Sequence, residues 1–123
     1  MENDPLTEKI IGAAIEVHRH LGPGLLESAY QECLCQELAR GGLTVKRQVV
    51  LPIAYKGVQV EPGFRVDMIV EDNVLLELKA VERILPIHEA QVLTYLKLSG
   101  IRTGLLMNFN AMPLKNGIKR FVV

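Results

Sequence analysis

The sequence predicts an α/β fold, with one mixed β-sheet flanked by helices in a single domain over residues 1–123. Three features predict it. Two stretches with helical apolar spacing open the chain, strand-like segments follow, and a third helical stretch separates the last two long strands. A chain of 123 residues can bury one core but not two, so one small unit carries the function.

Two helices are predicted before any strand. Asp4 is a typical N-cap, Pro5 suits the first helical position, and the first helix stops near Gly22-Pro23-Gly24. The second helix stops at Gly41-Gly42 and carries one apolar stripe, formed by Leu26, Tyr30, Cys33, Leu34 and Leu38.

The strands follow. Residues 44–55 lead through a turn into a short strand that we expect to break at Pro62-Gly63, and a hairpin over residues 64–80 comes next. The strand of Glu77, a helix over 87–99 and a strand near Leu105 predict a parallel βαβ crossover. Residues 121–123 add a short edge strand.

The hairpin places three ionisable residues inside apolar strands. Its even positions are apolar on both arms, so Asp67, Glu77 and Lys79 are expected on the opposite face. If residues 71–73 form the turn, Asp67 lies across from Glu77, where two carboxylates repel unless a cation or proton separates them. Hard carboxylate ligands without imidazole or thiolate favour Mg²⁺, with Mn²⁺ as the alternative.

From spacing alone, a solvent-facing surface of cross-strand ion pairs is the more common outcome. The pKa of Lys79 is open in the same way: desolvation would lower it, whereas pairing with Asp67 and Glu77 would raise it.

Polar residues on the helices extend the candidate site. His88, Gln91 and Tyr95 form a polar face on the helix after Pro86. Glu27 lies early in the second helix, where it also suits an exposed first-turn acid. Tyr95 equally suits a core aromatic.

Charge and composition restrict the partners. With 14 basic and 14 acidic residues, the chain has no global basic field, so contact with a polyanion must use local patches. The hydrophobic content of 49% suggests apolar surface that a second subunit covers, and we expect a homodimer. The chain shows neither a signal-peptide pattern nor a membrane-spanning apolar run, which predicts a cytoplasmic protein with reduced cysteines, Cys33 and Cys35.

Three motifs resemble a known family. Asp67 followed by Glu77-Leu78-Lys79 resembles the D…(D/E)xK signature of the PD-(D/E)XK nuclease superfamily, although Val66 replaces the proline. Residues 91–95 resemble the QxxxY helix motif of its branch with recombination-type exonucleases. Residues 24–30 read as GxxExxY, the motif of a family of small prokaryotic proteins within that superfamily.

The resemblance implies a restriction-endonuclease-like fold and a set of roles. Asp67 and Glu77 would bind metal, the Leu78 carbonyl would add a ligand, and Lys79 would stabilise the attacking water or the transition state. Glu27 would lie near the metal. Gln91 and Tyr95 would orient the site or contact the DNA backbone, and His18 is a further candidate metal ligand.

The sequence thus leads to a metal-dependent nuclease acting on nucleic acid, with DNA favoured, through a metal-activated water. The alternative is a dimeric binding or regulatory module that retains the nuclease fold but little cleavage. The neutral charge and the few aromatic residues suggest that a protein partner supplies recognition.

Overall fold

The computed structural model describes residues 4–123, with the backbone alone at Pro62. The chain forms a five-stranded mixed sheet in which the strands follow one another in chain order. The elements are α1 (Pro5–Leu21), α2 (Glu27–Arg40), β1 (Val45–Tyr55), β2 (Val58–Val70), β3 (Val74–Lys79), α3 (Pro86–Ser99), β4 (Thr103–Asn108), a 3-10 turn (Leu114–Gly117) and β5 (Ile118–Val122). The predicted fold class is confirmed.

The strand directions follow from the connections. β3 and β4 run parallel because α3 joins them, whereas the other neighbouring strands pair antiparallel. The predicted crossover and the predicted edge strand β5 are therefore both present. The hairpin register is also as predicted, because Val70 pairs with Val74 and Met68 with Leu76.

Helices cover both faces of the sheet. α1 and α2 pack on one face against the even positions of β3, such as Leu76 and Leu78. α3 packs on the other face, where Val92 and Leu96 contact Leu75. The central strands β3 and β4 are consequently buried on both sides, as continuous apolar runs predict.

The predicted face of β2 is wrong for its first half. Phe64 and Val66 pack on the α3 side, whereas Met68 belongs to the core under α1 and α2. The alternation changes at Asp67, and the facing residue Gln48 has a positive φ of 49° and is missing from the β1–β2 ladder. At this irregularity β2 reverses which side of the sheet its even-numbered side chains face, and Asp67 lies at the point of reversal.

The predicted strand break at Pro62-Gly63 is also wrong, because β2 continues through these residues. The β1–β2 register shifts between Leu51 and Ile53, which absorbs the irregularity. Gly63 allows the close approach, since a Cβ there would lie 1.7 Å from the Leu51 carbonyl oxygen. β1 and β2 therefore form one long hairpin between Val45 and Val70.

Asp4 caps α1 as predicted, with its Oδ1 accepting the N–H of Thr7 at 2.8 Å. Cys33 and Cys35 are both free thiols. Within residues 4–123, no helix has the length and apolar content to cross a bilayer.

Candidate active site

Asp67 and Glu77 lie side by side where β2 separates from β3. The regular ladder ends at the pair of Met68 and Leu76. Beyond it, the N–H of Asp67 donates to Oε1 of Glu77 at 3.2 Å, and the N–H of Leu78 donates to Oδ2 of Asp67 at 2.9 Å. Each carboxylate is thus held by the backbone of the opposite strand, which fixes the pair in one geometry.

The environment of Glu77 disfavours its charge. Its side chain is 5% exposed, and burial together with the neighbouring Asp67 carboxylate raises the pKa of Glu77 to about 8. The alternative of a solvent-facing, ion-paired surface is therefore wrong for Glu77. A buried acid with a strongly raised pKa beside a second acid is typical of functional sites.

Lys79 follows on the same side of β3 and is half-buried. Its charge lowers the pKa of Glu77, although less than burial and Asp67 raise it. Among the described residues, Lys79 has no carboxylate within ion-pairing distance. Its ammonium is therefore near the carboxylate pair without being neutralised by it.

Tyr95 of α3 lies near the same two carboxylates. Burial, and then the negative charges of Glu77 and Asp67, raise the pKa of its phenol. Its ring stacks on Phe64 of β2, with the centroids 4.9 Å apart. Gln91 lies one turn earlier on α3 and is half-buried, so the QxxxY residues share the helix face near the carboxylates.

His88, on the same predicted polar face, has a local role. Its Nδ1 accepts the N–H of Leu85 at 3.0 Å and so caps the start of α3. The imidazole of His88 therefore stabilises the first turn of α3.

Tyr30, the last residue of the GxxExxY stretch, is fully buried and holds the loop before α2. Its hydroxyl donates to the Gly22 carbonyl at 2.6 Å and accepts the Leu25 N–H at 3.1 Å. Its ring stacks on Phe109 at 4.6 Å between centroids. The motif tyrosine is therefore a structural anchor.

This anchor decides where Glu27 lies. Glu27 is the first residue of α2 and is half-buried. The loop before it is bonded to the residues after β4, because the Gly24 N–H donates to Oδ1 of Asn110 at 2.9 Å. β3 and β4 are parallel, so the start of α2 and Lys79 lie at the same end of the sheet.

His18, in the last turn of α1, is 9% exposed, and its Nε2 has no hydrogen-bond partner among the described residues. It lines a cleft of about 290 Å³ with Arg19 and residues 112–115. Across residues 4–123, no three His, Cys, Asp or Glu side chains are arranged to hold a metal ion together. The structure thus brings Asp67 and Glu77 together without bringing His18 or Glu27 into a common ligand set.

The sequence reasoning missed Asn108, Phe109 and Asn110. Asn108 is 4% exposed, and its side-chain amide is bonded to both main-chain groups of Val81. A signal for these residues exists in the sequence, because two asparagines directly follow the buried run of β4 at the carboxyl end of a parallel strand.

A larger cleft of about 610 Å³ lies elsewhere, at the amino ends of β3 and β4 between Val74 and Thr103. It is open, and Asp4, Asp72 and Arg102 contribute its charged groups. The paired carboxylates with the perturbed pKa lie at the opposite end of β3, and we place the candidate active site there because chemistry depends on those groups rather than on volume.

Comparison with known proteins identifies the family of the chain. The family model of the PD-(D/E)XK nuclease superfamily matches residues 4–121, from the cap of α1 into β5. No curated protein and no solved structure gives a match. The mixed sheet, the carboxylate pair on β2 and β3, and a match along nearly the whole chain show that this protein belongs to the PD-(D/E)XK nuclease superfamily.

Proposed function

We propose that this protein is a metal-dependent nuclease that hydrolyses phosphodiester bonds of DNA at the carboxyl end of β3. Membership of the nuclease superfamily supports nuclease-type chemistry in general. The observation that carries the specific proposal is the pair of Asp67 and Glu77, which are held together by backbone hydrogen bonds although their charges repel. Such a pair is costly for folding and is explained by a ligand that it binds.

A divalent cation fits this pair. Superfamily nucleases generally use divalent metal ions, and both side chains here are hard oxygen ligands, which suits Mg²⁺ or Mn²⁺. Burial, and then the neighbouring Asp67 carboxylate, raise the pKa of Glu77, and a bound cation would favour its charged form. Asp67 and Glu77 would hold the ion, with the Leu78 carbonyl as a further candidate ligand.

When bound, such an ion supplies polarisation of a phosphate oxygen and a lowered pKa for water. The residues of the chain have separate tasks. With such an ion bound, Glu77 would be held in its ionised carboxylate form. Lys79, near the pair but without an ion-pair partner among the described residues, offers its ammonium to charge that develops on the phosphate. Tyr95 and Gln91 approach from α3 and orient the substrate backbone.

A second function, the binding or regulatory module, is favoured by one observation. The net charge is zero, whereas free nucleic-acid-binding enzymes commonly carry a basic field. In that case the chain would act through a protein partner. A homodimer, a cytoplasmic location and a single domain over residues 1–123 remain predictions.

Incubation of the purified protein with labelled single-stranded and duplex DNA and RNA, with Mg²⁺, Mn²⁺ or chelator, tests the proposal. We expect metal-dependent cutting of DNA that falls by about a hundredfold or more in Asp67→Asn and Lys79→Ala, because each removes transition-state stabilisation. Matched controls are Glu61→Gln, an exposed acid elsewhere on β2, and Lys97→Met, an exposed lysine of α3. Both are expected to cut normally.

Three outcomes would contradict this proposal, in whole or in part. Cutting that persists in both site variants would indicate a contaminant. Cutting of RNA alone would correct the substrate. Tight binding of nucleic acid without metal-dependent cutting would favour the binding module instead.

A further inference from the structure

We infer that the segment Asn108-Phe109-Asn110 is a positioning unit, which holds the strand end bearing Lys79 and the start of α2 bearing Glu27 in one arrangement. The inference rests on the proposed function, because it concerns how that site is assembled. Its basis is a chain of hydrogen bonds that starts at β3, passes through residues 108–110 and ends at the loop before Glu27.

The first connection is between Asn108 and Val81. Oδ1 of Asn108 accepts the Val81 N–H at 3.1 Å, and Nδ2 donates to the Val81 carbonyl at 2.9 Å. The neighbouring Phe109 N–H donates to the Lys79 carbonyl at 2.8 Å. In a regular parallel pair, main-chain groups would make these bonds along the ladder. Here the buried amide of Asn108, the last residue of β4, makes those to Val81 instead, so the segment that follows Lys79 stays fixed after β3 has ended.

The second connection runs from Asn108 through Asn110 to the loop before α2. With the Asn108 side chain serving Val81, the main chain turns, and the Asn110 N–H donates back to Oδ1 of Asn108 at 3.2 Å. The Asn110 side chain then reaches the loop before α2, where its Oδ1 accepts the Gly24 N–H at 2.9 Å. The side chain of Asn108 thus bonds the segment just after β3, and the side chain of Asn110 bonds the loop before Glu27.

Phe109, between the two asparagines, adds an apolar contact. It is fully buried and stacks on Tyr30, whose hydroxyl holds the same loop at Gly22 and Leu25. The three consecutive residues therefore contact both site-bearing elements, and they do so by different interactions. This density of connection is more than a turn between β4 and the 3-10 turn requires.

The two asparagines differ in a way that makes the inference testable. Asn110 contributes only an acceptor in its bond to Gly24, so Asn110→Asp keeps the bond whereas Asn110→Ala loses it. Asn108 contributes both a donor and an acceptor, so Asn108→Asp would place an oxygen against the Val81 carbonyl and fail to rescue. A generally disruptive effect of substitution at this turn would not produce that contrast.

The experiment measures Mn²⁺ affinity by calorimetry, together with kcat and KM for DNA cleavage. Urea unfolding of each variant first establishes that it is folded under the assay conditions. We expect kcat to fall about 10- to 100-fold in Asn108→Ala, Asn108→Asp and Asn110→Ala, as for other residues that orient a metal site. Asn110→Asp should stay within about threefold of wild type. Asn116→Ala, an exposed asparagine of the neighbouring 3-10 turn, is the matched control and should also be unchanged.

Hydrogen exchange at the Val81 and Gly24 amides provides a readout independent of activity. Exchange should accelerate at Val81 in the Asn108 variants, and at Gly24 in Asn110→Ala but not in Asn110→Asp.

The inference is overturned, with the proposed function intact, if wild type cuts and all four variants cut and bind Mn²⁺ equally well. Equal losses in Asn110→Asp and Asn110→Ala would also overturn it. If wild type neither binds Mn²⁺ nor cuts, the proposed function fails and the inference fails with it.

Discussion

Glu77 makes the stability of this protein depend on pH in an unusual direction. Its pKa is about 8 in the folded chain, against an ordinary value of 4.5, because it is buried beside Asp67. Between these two values the unfolded chain has lost the proton and the folded chain keeps it. Folding therefore takes up a proton, and the contribution of Glu77 makes the protein less stable as the pH rises from 4.5 to about 8.

The magnitude follows from the shift. Each pKa unit corresponds to about 1.4 kcal/mol, so the full shift corresponds to a loss of about 3 to 5 kcal/mol above pH 8 relative to acid conditions. That is a large part of the stability of a small domain. Glu77→Gln removes the titration while retaining the Oε1 acceptor for the Asp67 N–H.

The assay is urea unfolding of wild type and Glu77→Gln in chelator, from about pH 5 to about pH 9. We expect the variant to gain stability over wild type by about 1.4 kcal/mol per pH unit until wild-type Glu77 ionises near pH 8. Asp67→Asn retains the burial but loses the neighbouring charge, so Glu77 should ionise at a lower pH and the dependence should end earlier.

A difference between wild type and Glu77→Gln that does not change with pH would refute the reasoning. It would mean that Glu77 ionises at its ordinary pKa, and that water reaches the carboxylate pair. The argument for a cation between Asp67 and Glu77 would then lose its electrostatic basis.

Three further results are expected. Gly63→Ala should destabilise the protein by at least about 2 kcal/mol, because its Cβ would collide with the Leu51 carbonyl, whereas Gly12→Ala in open space on α1 should stabilise it by up to about 1 kcal/mol; urea unfolding of both variants checks the contrast. Tyr30→Phe loses two hydrogen bonds, so we expect a loss of about 1 to 3 kcal/mol in unfolding free energy and faster exchange of the loop amides before α2. Mn²⁺ at a hundred times its dissociation constant should stabilise wild type by about 2.7 kcal/mol but not Asp67→Asn, and thermal unfolding with and without chelator measures this; equal stabilisation of both would place the ion elsewhere.

Much of the fold could be predicted because its signals are local. The N-cap at Asp4, the turn at residues 71–73 and the register of the hairpin depend on residues a few positions apart, and the structure agrees with them. The resemblance to the nuclease superfamily also depends only on residue order, and the family model that matches residues 4–121 confirms the superfamily. Local patterns failed at Asp67 and Pro62-Gly63, where an irregular partner strand, and not the strand's own sequence, decides the conformation.

The sequence by itself determined the element order, the opposition of Asp67 and Glu77, and the identity of the chemical groups. Only the tertiary structure decided that Glu77 is buried, that both carboxylates raise the pKa of Tyr95, and that Asn108 and Asn110 connect the end of β3 to the loop before α2. The physical reason is the distance along the chain. Gly24 and Asn110 are 86 residues apart, and their contact, like the burial of Glu77, arises only when helices and strands pack together.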